Sequence, residues 1–213
     1  MFITLEGIEG CGKTTQMNHL STFFENRGQS CVLTREPGGT AIGKEIRSIL
    51  LKPSSKDMVP RAELLLYMAD RAQHIASLVK PSLAENKVVL CDRYFDATVV
   101  YQGYARGLDT HFVYELHRMV LEDFRPDITL LLDLAPRIGL ARAWKQLDKG
   151  TRSGSESRFE EETLSFHEKV RAGYLELARR EPKRFRTIDA SGDELQVQED
   201  IREVLRDYLD ESQ

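Results

Sequence analysis

The chain has 213 residues, 41% hydrophobic and 30% charged, and its 30 Lys and Arg against 34 Asp and Glu leave a net charge of −4. That is the length of one domain with a substantial core and the composition of an ordinary soluble protein. The acidic balance excludes a general basic field for nucleic acid, and no apolar run approaches the ~20 residues of a membrane span.

Met1 leads straight into an apolar run, which leaves no room for a signal peptide and predicts a cytoplasmic protein. Residues 2–6 read as a buried strand that ends in a glycine-rich turn, and residues 14–26 as the helix after it, stopped near Gly28. A second β-rich run at 30–34 meets a stretch dense in turn residues at 35–40. Apolar residues at Ile42, Ile46, Ile49 and Leu50 give 41–51 a helical period. A loop at 53–57 precedes a long helix over 60–79, opened by Pro60 in its first turn. A strand at 87–92 ends in Asp92, a loop and helix run to about 104, and 110–122 is helical. The continuous apolar run at 127–133 is a strand buried on both sides. Helices over 136–147, 159–180 and 193–209, with a strand at 184–189, complete the chain, and a polar segment at 149–158 forms a short lid.

Alternating strands and helices predict a single α/β domain over 1–213: a three-layer, phosphate-loop NTPase-type fold with a five-stranded parallel sheet flanked by helices. Ligands in such sheets sit at the carboxyl ends of the strands, where residues 7–14, 35–40, 92–93 and 189–192 all fall.

Gly7, Gly12, Lys13 and Thr14 fit the G-x-x-x-x-G-K-[ST] phosphate loop. Glycines, Gly10 among them, let the backbone N–H groups up to Cys11 and Thr15 turn onto phosphate oxygens, and the helix that begins here adds its positive end. Lys13 brings a mobile charge to the outer phosphates and Thr14 a hydroxyl for Mg²⁺. Asp92 stands where the acid that organises Mg²⁺ is found, or is a solvated strand-end carboxylate. Arg93 would repel a cation and suits a second phosphate. Lys149, Arg152 and Arg158 lie in or beside the lid segment, where an arginine can close over a transferring phosphoryl group; the alternative is a solvated loop. Glu9, in mid-loop, would repel nucleotide phosphates unless it faces elsewhere, for example a sugar hydroxyl. The five histidines read as surface or packing residues and the three cysteines, Cys11, Cys31 and Cys91, as small packing groups.

Four stretches in order, Glu6-Gly-Ile-Glu-Gly-Cys-Gly-Lys-Thr-Thr-Gln16, Thr34-Arg-Glu-Pro-Gly-Gly-Thr40, Asp92-Arg-Tyr94 and Tyr101-Gln-Gly103, resemble the bacterial thymidylate kinases over essentially the whole chain. The resemblance implies transfer of the γ-phosphoryl group of ATP to dTMP, with Mg²⁺ and typically as a homodimer. It implies that Lys13 and Thr14 hold the ATP phosphates and the metal, with Asp92 completing the metal site. Arg35 and Arg93 would grip the dTMP phosphate beside Pro37, and Glu9 would approach the sugar 3′-hydroxyl. Tyr67 and Arg71, four apart on one helix face, would stack on thymine and donate to a ring carbonyl. Thr98 and Gln102 would read the polar edge of the ring, Tyr101 would sit against the sugar, and Arg142 with Ala190 and Ser191 would flank adenine. Two departures stand out. Ala97 occupies a position where the family commonly has Ser, and the phosphate loop has no Arg, which assigns the catalytic arginine to Arg152 or Arg158.

Other readings fit less well. A deoxynucleoside kinase has no need for paired Arg35 and Arg93, and a GTP switch lacks its guanine-reading N-K-x-D, since Asn86-Lys87-Val88-Val89 has no acid and precedes its strand. A nucleic-acid-stimulated ATPase runs against the acidic balance.

Overall fold

A computed structural model describes residues 1–149 and 154–211. Five parallel strands form one sheet in the order β2-β3-β1-β4-β5: β1 Phe2–Glu6, β2 Cys31–Arg35, β3 Val88–Asp92, β4 Ile128–Asp133 and β5 Phe185–Asp189. β1 is central with both its faces covered, and all five of its residues are buried. Its register pairs Leu5 with Asp92 on one side and with Leu130 on the other. The chain therefore runs from the centre out to β2, back to β3, and then across β1 to β4, and the loops on either side of that reversal open a crevice at the carboxyl edge. Strand bounds lie within one residue of those expected from sequence.

Helices cover both faces. α1 is Lys13–Glu25, α2 Ala41–Leu51, α3 Pro60–His74, α4 Lys80–Ala84, α5 Phe95–Thr98, α6 Thr110–Leu121, α7 Pro136–Asp148, α8 Leu164–Arg180 and α9 Glu194–Glu211. Proline opens α3 and α7, where its missing N–H is not needed. The Thr40 hydroxyl accepts from Gly43 N–H to cap α2, and the Thr163 hydroxyl accepts from Phe166 N–H to cap α8. That cap corrects the expected helix at 159–180: the helix begins at Leu164, and the preceding residues turn inward with Phe159 and Glu160 buried. The helix expected to stop at 79 continues instead, through π-helical Ile75–Val79, into α4. A second π-helical stretch, Val99–Ala105, follows α5 and carries Tyr101 and Gln102. Widened turns of this kind recur at functional sites. Among the described residues no helix is long and apolar enough to cross a membrane.

Below the crevice one buried ion pair joins the two halves of the sheet. Arg184 donates to Asp96 from both terminal nitrogens, at 2.6 and 2.8 Å, and to the Thr129 hydroxyl at 2.8 Å. Asp96→Ala removes two charged hydrogen bonds and leaves that guanidinium with Glu181, at 2.9 Å from its Nε, so urea unfolding is expected to show a loss of about 3 kcal/mol.

Candidate active site

The phosphate loop leaves β1 and ends at α1. Gly10 has φ +70°, and a Cβ there would run into the Gly139 carbonyl of α7, so only glycine allows this approach. Gly12, at φ 98°, is the residue before α1, whose first N–H groups face the crevice. The Lys13 ammonium lies over the loop, donating to the Gly7 carbonyl at 3.1 Å and the Ile8 carbonyl at 2.9 Å, with Cys11 Sγ at 3.4 Å. On one flank, Arg142 donates to the carbonyls of Ala190 (3.1 Å) and Ser191 (3.3 Å), and Arg142 and Ala190 border a groove with Gly10, Gly12 and Thr15. On the other flank Thr14 and Asp92 share a smaller depression. One oxygen of Asp92 is buried and has no hydrogen-bond partner among the described residues. A hydroxyl beside an unengaged carboxylate oxygen is the donor set that suits Mg²⁺, which takes few protein ligands and completes its shell with phosphates and water.

Beyond the loop lies a deeper pocket. Glu9, Pro37, Tyr67, Arg71, Arg93, Thr98, Tyr101 and Gln102 all line it, together with Ala97. Arg93 holds its floor with a left-handed backbone (φ 69°), a strained conformation for a non-glycine residue. Its guanidinium donates to Glu9 Oε1 at 2.9 Å and to the Tyr174 hydroxyl at 3.0 Å, and lies over the Tyr101 ring. The Tyr101 hydroxyl also donates to Glu9 Oε1, at 2.7 Å. Burial pushes the Glu9 carboxyl up, but Arg93, His167 and Lys13 outweigh it and hold it well below the usual carboxylate range. Glu9 is therefore an anion fixed by one oxygen; its Oε2 lies 3.2 Å from His167 Nδ1.

At the far end, Arg71 is fully buried. Its Nε donates to Glu36 at 2.6 Å and its Nη2 to the Tyr94 carbonyl at 3.1 Å, while Nη1 has no partner among the described residues. Gln102 donates through Nε2 to Glu63 Oε1 at 2.7 Å. An ionised carboxylate only accepts, so this contact fixes the amide orientation and leaves the Gln102 carbonyl for the pocket. The pocket thus offers a donor, Arg71 Nη1, and an acceptor, Gln102 Oε1.

Behind Arg93, Glu6 accepts from Tyr94 N–H and the Tyr174 hydroxyl, each at 2.7 Å. Burial raises its pKa from 4.5 to about 7, against the opposing pull of Arg93. A raised folded-state pKa favours folding at low pH, and this contribution is lost as pH rises through about 7. Between pH 5 and 8 urea unfolding should therefore show a loss of about 3 kcal/mol from this residue, a slope that Glu6→Gln removes.

Comparison with known proteins agrees with this geometry. The model of the family "Thymidylate kinase" matches residues 5–201. The chain is 57% identical to a thymidylate kinase of Desulfosudis oleivorans over 197 residues, 92% of each chain. It is 50% identical to one of Nitratidesulfovibrio vulgaris over 210 residues, covering 98% of this chain and 97% of that one. The crystal structure of thymidylate kinase from Ehrlichia chaffeensis superposes with a TM-score of 0.76 at 33% identity, over 96% of this chain and 98% of that one. The chain belongs to the thymidylate kinase family.

As a thymidylate kinase family member it is a kinase, and two of its arginines stand where the sequence did not lead us to expect. Arg35 does not share the pocket of Arg93: its exposed side chain lines the depression with Thr14 and Asp92, while Glu36 and Pro37 directly after it line the pocket. Arg158 is not a free lid group. It is 4% exposed, donates to the Leu50 carbonyl at 2.9 Å and pairs with Glu63 at 2.6 Å. Arg152 lies outside the described residues. Sequence reasoning also missed Glu36 and Glu63, the two carboxylates that orient Arg71 and Gln102. Glu63, Tyr67 and Arg71 follow at i, i+4 and i+8, so a charge on an otherwise pocket-facing stripe was the available signal. His74, bonded to Glu36 (2.8 Å) and Thr34 (2.7 Å), and His167 are buried polar partners and not surface groups. Arg47 lines the pocket mouth, where it donates to both oxygens of Glu156. No periodicity marked it.

Proposed function

We propose that this kinase moves the γ-phosphoryl group of ATP to dTMP, giving dTDP and ADP. The observation that carries the reading is the donor and acceptor presented together by Arg71 and Gln102. Thymine offers a carbonyl at C4 and an N–H at N3, the complement of that pair, whereas cytosine offers the reverse at both positions. Tyr67 stacks on the ring, and Ala97 and Thr98 lie along its edge. Arg93 takes the acceptor phosphate. Glu9 Oε2, beside His167, accepts from the 3′-hydroxyl, and Tyr101 packs against the sugar where a ribose would carry its 2′-hydroxyl.

ATP lies along the phosphate loop, its phosphates on the N–H groups of α1 and on Lys13, with adenine beside Arg142, Ala190 and Ser191. Thr14 and Asp92 would hold Mg²⁺, whose charge would offset that of the transferring phosphates. No side chain needs to act as a base, because the acceptor is a phosphate already largely dianionic near neutral pH, its second pKa being about 6. Catalysis is then positioning and charge neutralisation. Arg152 supplies the lid charge, since Arg158 is committed to Glu63. Arg35, at the edge of the metal depression, is assigned to the phosphates.

With γ-labelled ATP and dTMP the label is expected in dTDP. Release of labelled inorganic phosphate alone, at the same rate with and without dTMP, would refute the reading. The enzyme is expected in the cytoplasm, consistent with three free thiols. It is expected as a homodimer through α6, where Phe112 and Met119 are exposed; a monomer mass in light scattering would count against this.

A further inference from the structure

A second cavity, of about 250 Å³, lies between α5, α6 and the turn before β4, away from both nucleotide grooves. Phe95, Tyr114 and Phe124 give it aromatic walls. His117 also lines it, is only 5% exposed, and has no hydrogen-bond partner at either ring nitrogen among the described residues. Burial, with Arg71 and Arg125 nearby, holds this imidazole well below its ordinary pKa, so it is neutral, with one N–H to give and one lone pair to fill. The two arginines at the rim each have a carboxylate partner, and Asp123 adds a further negative charge near Arg118. Arg118 donates to Glu115 at 2.8 Å and Arg125 to Glu181 at 3.2 Å. An anionic ligand would have to break one of these pairs and meet Asp123, whereas an uncharged ring would do neither.

Tyr94 connects the cavity to the acceptor pocket. Tyr94 lines that pocket, and its hydroxyl donates to the Phe124 carbonyl at 3.2 Å. Its ring meets Phe95 edge-on at 5.5 Å, and Phe95 meets His117 edge-on at 5.2 Å. Through its carbonyl, Tyr94 also holds Arg71.

We propose that this cavity binds an uncharged planar heterocycle whose lactam edge bonds to His117, and that its occupancy alters acceptor binding through Tyr94 and Arg71. A lactam carries both N–H and carbonyl, so it suits whichever imidazole nitrogen faces the ligand. The coupling rests on the acceptor reading above; the binding does not.

The test uses the full chain, labelled at histidine, with 2-pyridone as the probe and dTMP in excess to keep the acceptor pocket filled. The expected result is a saturable change in the His117 ring nitrogens, with Overhauser contacts from the probe to the Phe95 and Phe124 rings. Calorimetric affinity should fall at least tenfold in His117→Phe, and the dTMP dissociation constant should change at least twofold when the probe is bound. No saturable change, meaning that water alone fills the cavity, would overturn the site, as would undiminished affinity in His117→Phe. If that variant does not fold, the Overhauser contacts in the unmodified protein decide. Binding with unchanged dTMP affinity would overturn the coupling, and failure of dTMP to bind at all would count against the acceptor reading alone.

Discussion

Arg93→Ala is expected to lower kcat/KM for dTMP by about 10³-fold. Truncating one member of a buried, hydrogen-bonded charge pair costs about 2–5 kcal/mol, and each 1.4 kcal/mol is tenfold. Arg93 has two such partners in this reading, the acceptor phosphate and Glu9, which it contacts at 2.9 Å. Its loss also leaves Glu9 with the Tyr101 hydroxyl, His167 and Lys13 to support its charge, so part of the effect should appear as weaker dTMP binding by calorimetry. Arg93→Lys should recover little. An ammonium cannot span Glu9, Tyr174 and a phosphate in the one plane that the guanidinium occupies. A variant within tenfold of the parent enzyme would show that the acceptor phosphate sits elsewhere.

Arg152 and Arg158 should separate cleanly. Arg152→Ala is expected to lower kcat by about 10³-fold or more, the range for an arginine that neutralises a transferring phosphoryl group, with urea stability and dTMP affinity unchanged. Arg158→Ala should do the opposite. It leaves Glu63 buried with only Gln102 and the longer Arg106 contact, at 3.4 Å. The expected cost is about 3–5 kcal/mol of stability, with kcat per folded molecule close to that of the parent. Full kcat in Arg152→Ala would remove the lid arginine from the mechanism.

The fold was legible because strand and helix periods differ and the breakers are unambiguous. Buried β1 and β4 read as continuous apolar runs, and Pro60 and Pro136 mark helix starts. Errors came where local signals compete. Phe159 carries an apolar side chain in helical phase, yet Thr163 is the stronger cap and the chain turns before it. Pro81 does not end its helix, because the π-helical turns before it absorb the change in hydrogen bonding. Within the site, the phosphate loop was legible from its motif, whereas the acceptor residues came from the resemblance to the family, and eight of those nine line one pocket. Arg35 is the exception, since a side chain at a strand end can face either neighbour and sequence does not say which. Orientation was beyond reach for the same reason. That Gln102 presents its carbonyl follows only from Glu63, 39 residues away in sequence.

The pairing of Arg71 and Gln102 is the central claim, and kcat/KM for dTMP and dCMP measured in parallel with saturating ATP and Mg²⁺ tests it most directly. Facing donor to donor and acceptor to acceptor, dCMP should be disfavoured by at least about 10²-fold, because two buried polar groups lose their partners. Equal values for the two acceptors would contradict the account.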